Sequence, residues 1–145
     1  MNTFMRLMLM GICLFLAGRT IAQPPITTDS FTGVWELKER KLPNQQAFTA
    51  VPPGQYKMFT ADNKLQLFQV TQKGTFITSY GKFRVLTDST LEEAFEKSIY
   101  FPDPKPGITI FKFIDSETLS SKFGGPGSYV EETWKKIPYA GDIQK

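Results

Sequence analysis

The chain contains no histidine and a single cysteine, Cys13, which lies inside an apolar N-terminal run. Beyond residue 22 there is neither thiol nor imidazole. Disulfides, thiolate catalysis, histidine proton shuttles and zinc sites built on His or Cys are excluded from that region. Charge of one sign is scarce as well. The 17 Lys and Arg residues face 14 Asp and Glu residues and are interspersed with them, so the pI near 9.0 comes without the basic stripe that nucleic-acid binding needs. Internal repeats and low-complexity tracts are lacking. Gly124-Gly-Pro-Gly127 has no following Lys-Ser/Thr pair and no helix, so it reads as a hairpin turn and not as a phosphate loop. No cofactor and no metal site is expected.

Residues 1–22 have the parts of a secretory signal: Arg6 near the front, an apolar run from Leu7 to Gly18, and Thr20-Ile-Ala22 as a small-residue cleavage site. The run is short for a bilayer span and Arg19 closes it. Cys13 follows Ile12, without the small residue that should precede a lipidated cysteine. Cleavage predicts a chain beginning at Gln23, exported to the periplasm or beyond, with no integral membrane insertion. Arg6 and Arg19 leave with the leader, which brings the net charge to about +1. Roughly 120 residues remain, enough for one domain with one core.

In the remaining chain, apolar and β-branched residues recur at the period of two that marks half-buried strands. Gln23 to Ser30 reads as a loose polar lead-in. A first strand follows over about Phe31 to Leu42, with Phe31, Gly33, Trp35 and Leu37 on one face and a charged second half. Pro43 to Gly54 is a long loop carrying Phe48 and Val51, of the kind that often serves function. Tyr56 to Thr60 and Lys64 to Thr71 form a hairpin about Asp62-Asn63. Gly74 to Thr87 is a long strand in which Gly81 marks a bulge or bend. Thr90 to Tyr100 fits a helix through Leu91, Phe95 and Ile99, but its neighbours favour a strand, which would turn Glu93 to the apolar face. Ile108 to Ile114, Glu117 to Phe123 and Ser128 to Ile137 complete the set, and residues 138–145 read as a frayed tail. Such a series predicts an all-β, antiparallel up-and-down barrel of about eight or nine strands over residues 31–137, since closure removes exposed edges.

Five segments carry a resemblance: Phe31-x-Gly33-x-Trp35-x-Leu37, Tyr56-Lys57-x-Phe59, Gly81-x-Phe83-x-Val85, Ser89-Thr90-x-x-Glu93 and Glu131-Glu132-x-Trp134-Lys135-Lys136. Their order and spacing, from Thr32 to Ile137, resemble an uncharacterised lipocalin-like family of secreted bacterial proteins. The resemblance implies a meander barrel with an internal pocket and no known activity. The Thr-Asp-Trp-like loop of true lipocalins is missing. In lipocalin-like barrels a tryptophan packs across the closed end under a basic residue of the last strand. Here that implies structural closure by Gly33, Trp35 and Lys136 (or Lys135).

The candidate ligand-binding residues are Phe59, Phe83, Phe95, Phe113 and Trp134, which could line an apolar cavity with Phe111 or simply fill it, since a barrel of about eight strands permits either. Glu93 and Glu132 would bind a polar ligand group or pair with Arg84, Lys82 or Lys136. Two carboxylates could serve glycoside hydrolysis, but 14 acidic residues supply such pairs by chance, so no enzyme is expected. The favoured reading is a barrel that binds a small, largely apolar ligand, with Pro43 to Gly54 as a partial lid. The rival is an interaction scaffold with a filled interior, and a cavity above about 300 Å³ separates them.

Overall fold

The structure is a computed structural model and describes residues 25–138. The expected leader, residues 1–22, and residues 139–145 of the expected tail lie outside the described residues. A helical turn, α1 (Thr28–Phe31), precedes nine strands: β1 (Gly33–Lys41), β2 (Thr49–Ala50), β3 (Gln55–Phe59), β4 (Lys64–Thr71), β5 (Gly74–Val85), β6 (Thr90–Ser98), β7 (Gly107–Asp115), β8 (Thr118–Phe123) and β9 (Val130–Lys136). Each strand from β3 to β9 pairs antiparallel with the next, and β9 pairs back onto β1, which closes an eight-strand up-and-down barrel. The short β2 is the extra strand. It covers the edge of β1 beyond the β3 pairing, with Glu39 opposite Ala50 and Arg40 opposite Thr49.

Thr90 to Ser98 is a strand, as favoured, because both of its edges are taken: β5 pairs along its length and β7 along its first half. Gly81 sits at a bulge in the β5–β6 ladder. A Cβ there would press on the Ala94 carbonyl oxygen, so only glycine allows the two strands this approach. The expected lead-in and strand start differ from the structure. Residues 28–31 turn helically, with Thr27 and Ser30 closing a capping box, and the turn brings Phe31 into the end of the barrel.

That end is filled. Phe31 is fully buried, with ring centroids 4.8 Å from Phe111, 5.1 Å from Phe113 and 5.4 Å from Phe59. The Trp35 indole N–H donates to the Phe31 carbonyl at 2.7 Å, which ties the helical turn to β1. Lys136 Nζ stands 5.4 Å from the centre of the Trp35 ring, and Gly33 leaves the space for it: a Cβ at Gly33 would lie 2.7 Å from Lys136 Cε. Gly33, Trp35 and Lys136 thus close the barrel together, and Lys136, not Lys135, is the cation.

Candidate functional site

Moving along the barrel away from Phe31, the inward positions change character. Alternation from buried Phe59 puts Lys57 and Gln55 on the inner face of β3, and alternation from Leu91 puts Glu93 and Phe95 on the inner face of β6. On β9 the same rule turns Glu132 and Trp134 inward, and on β7 it turns Thr109 inward. These side chains border a cavity of about 900 Å³ that opens at the end opposite α1.

Arg40 reaches the cavity for a different reason. The β1–β9 register slips between Leu37 and Glu39, so one residue is skipped and the side-chain phase reverses. Strict alternation from Trp35 and Leu37 would have turned Arg40 outward; the bulge turns it in, beside Glu132.

The charged groups inside the barrel are paired, whereas Asp103 and Lys105 at the mouth make no ion pair among the described residues. Lys57, nearly fully buried, places Nζ 2.8 Å from Glu93 Oε1, and Thr109 Oγ1 donates to Glu93 Oε2 at 3.3 Å. The same ammonium lies 5.0 Å from the centre of the Trp134 ring and 5.8 Å from that of Phe59, so it forms the partition between the filled and the hollow half. Arg40 binds Glu132 at 2.8 Å, and the Trp134 indole N–H donates to Ser121 Oγ at 3.2 Å. Among the described residues no buried side-chain nitrogen or oxygen lacks a partner. Tyr56 stands at the wall with its hydroxyl 3.4 Å from Glu36 Oε1. Its phenol titrates above the ordinary value, chiefly because burial disfavours the phenolate and then because Glu36 adds negative charge and a hydrogen bond.

The predicted ligand residues therefore divide. Glu93, Phe95, Glu132 and Trp134 border the cavity, whereas Phe59, Phe83 and Phe113 belong to the filled end, with Phe59 and Phe83 4.8 Å apart centre to centre. The carboxylates do not take the expected partners. Arg84 and Lys82 alternate to the outer face, where they meet Glu92 and Glu96, and Lys136 is at the closed end. Lys57 was legible from its spacing to Phe59; Arg40 was hidden by the bulge.

The loop over residues 43–54 is not the lid expected of it. It borders none of the cavity and instead folds back on β1, where Val51 N–H donates to the Lys38 carbonyl at 2.8 Å. The mouth is bordered by the β6–β7 loop, residues 99–106, through Tyr100, Phe101, Asp103, Pro104 and Lys105. The Tyr100 hydroxyl accepts a hydrogen bond of 3.1 Å from Gln69 Nε2, across to β4. Pro102, Pro104 and Pro106 limit how this loop bends. Its sequence signal was the apolar Ile99-Tyr-Phe101 placed immediately before alternating prolines.

No curated protein matches this chain. A family model does, over residues 30–142, the span from Ser30 in α1 through all nine strands. The chain belongs to the family described as domain of unknown function DUF4488.

Proposed function

We propose that this protein is an exported, non-enzymatic carrier whose hollow half takes up a small, largely apolar, uncharged molecule, in the manner of lipocalin-like barrels. One observation carries the reading: a single barrel is filled by aromatic rings at one end and leaves about 900 Å³ at the other. That volume is well above the roughly 300 Å³ at which ligand sites begin. Trp134, Phe95, Leu67 and Phe123 offer apolar surface, worth about 25 cal/mol for each Å² a ligand covers.

The paired charges support an uncharged ligand. Lys57 with Glu93 and Arg40 with Glu132 are balanced, so an ionic head would meet a like charge beside each opposite one. A hydroxyl or carbonyl could be oriented by the Gln69 amide at no such cost. The pairing also favours binding over catalysis, because both inward carboxylates are engaged by cations. The leader over residues 1–22 supports export.

Native mass spectrometry of the protein recovered from the exported fraction tests this. The expected result is a discrete added mass on a chain starting at Gln23, lost on denaturation. A bare mass, together with failure to bind an uncharged apolar fluorophore, would overturn the carrier reading and leave the scaffold.

A further inference from the structure

Exposed apolar side chains are not spread evenly over this barrel. Around the cavity mouth Phe76, Ile77, Ile99, Phe101 and Ile108 are exposed, Ile99 to 71% and Ile77 to 56%. They lie on adjoining segments: Phe76 and Ile77 are consecutive on β5, and Ile99 N–H donates to the Thr78 carbonyl at 2.8 Å, which sets the start of the β6–β7 loop beside them. Several exposed apolar side chains on one lip of a cavity make a contact surface for an apolar partner.

Charge marks the same end. Lys73 at the β4–β5 turn, Lys97 at the end of β6 and Lys105 in the β6–β7 loop are exposed and make no ion pair among the described residues. Asp103 is the one acid in that loop. The turns and strand ends at the opposite pole carry Asp29, Asp62, Asp88, Asp115 and Glu117 against Lys64, Lys135 and Lys136, so acids outnumber bases there. An anionic surface would attract the mouth and repel the closed end, which fixes an orientation before any contact forms.

The geometry points to an anionic lipid bilayer as the partner of the open end: the rim residues enter the interface, the lysines meet the headgroups, and the cavity opens directly onto the apolar layer. This inference rests on the carrier reading for its purpose but not for its test. An apolar ligand then passes between membrane and cavity beneath the β6–β7 loop without crossing water, with the Gln69–Tyr100 hydrogen bond breaking as the loop lifts.

Vesicle flotation of the protein starting at Gln23, which keeps every barrel residue, tests the docking. Vesicles of phosphatidylcholine alone are compared with vesicles containing about one-third phosphatidylglycerol. The expected result is at least about tenfold stronger binding to the anionic vesicles, weakening as salt is raised. Lys73→Glu with Lys105→Glu removes the anionic preference, and Ile77→Ser with Ile99→Ser removes binding to both. Every substituted side chain is exposed, and unchanged tryptophan fluorescence and denaturation midpoint confirm the fold. Absence of binding to either vesicle, or rim variants that bind as the parent does, would overturn the inference. A protein that carries a ligand in native mass spectrometry but ignores vesicles refutes the docking alone; one that floats with vesicles yet never carries an apolar molecule refutes the carrier alone.

Discussion

The two ends of this barrel are built from the same eight strands, and they differ in what each strand turns inward. Toward α1 the inward residues are Phe31, Trp35, Phe59, Phe83, Phe111 and Phe113, rings that interlock edge to face and fill the interior. Toward the mouth the same strands contribute Arg40, Lys57, Glu93, Thr109 and Glu132. These groups pair along the barrel wall, Lys57 with Glu93 and Arg40 with Glu132, and the interior beyond them stays hollow. The strand connections follow suit: two- to four-residue turns at the filled end, and the long segments 42–54 and 99–106 at the open one. Stability is concentrated in one half, which leaves the other free to stay open.

The largest test of this division is its boundary. Lys57→Met would leave Glu93 buried with only Thr109 as a hydrogen-bond partner, and a loss of about 3–5 kcal/mol is expected from denaturant unfolding. Lys57→Met combined with Glu93→Leu should recover most of that loss, because the pair is then replaced by apolar groups of similar size. Arg40→Met likewise takes the cation from a buried carboxylate, Glu132, but at a side chain 36% exposed, through which water reaches the site, so a smaller loss of about 1–3 kcal/mol is expected. A loss at Arg40 as large as that at Lys57 would mean that no partition exists.

Next in size is a matched pair of ring enlargements. Phe83→Trp adds volume to the filled half and should cost about 1–3 kcal/mol by overpacking, with ligand retention unchanged in native mass spectrometry. Phe95→Trp enlarges a cavity wall, so stability should stay within about 1 kcal/mol while ligand retention falls. The division fails if both behave alike.

Gly33→Ala acts at the closure itself. With φ at +134° the backbone disfavours any side chain, and the new methyl would displace the Lys136 stem from Trp35. A loss of about 1–3 kcal/mol is expected from chemical denaturation, with ligand retention intact.

How much of this was legible in the sequence depended on whether a residue's inward or outward turn obeyed simple alternation. The strands and the inward turn of Glu93 follow from a period of two, the Gly81 bulge from a glycine in mid-strand, and the Trp35 closure was implied by the lipocalin-like resemblance. Which inward aromatic sits in which half does not, because Phe59, Phe83 and Phe113 carry the same pattern as Phe95 and Trp134; their depth along the barrel depends on stagger between strands, which no single strand encodes. Phe31 read as a strand residue because its apolar spacing to Gly33 and Trp35 fits a strand, yet the Trp35 N–H bond and the Thr27–Ser30 capping box bend the chain into a helical turn. Arg40 was lost to a one-residue slip.

The smallest effect expected lies in acid and also separates the ends. Asp115 accepts from the Glu117 backbone N–H at 2.8 Å and from Thr118 Oγ1 at 2.9 Å, and these bonds, the first foremost, hold its carboxyl below the ordinary carboxylate value. Asp62 is held low as well, chiefly by Lys64 and then by Thr60. A carboxyl whose value is depressed by folding stabilises the fold above its unfolded value of 3.8 and loses that contribution as pH falls through the lower folded value. Both groups sit in turns of the filled end and are exposed, so the loss is local and small. Amide hydrogen exchange compared between pH 5 and about pH 3 should show the 60–64 and 115–118 turns opening before the loops at the mouth. Asp115→Asn should flatten that response in its own turn only, and a uniform response over both ends would show that acid acts on the barrel as a whole.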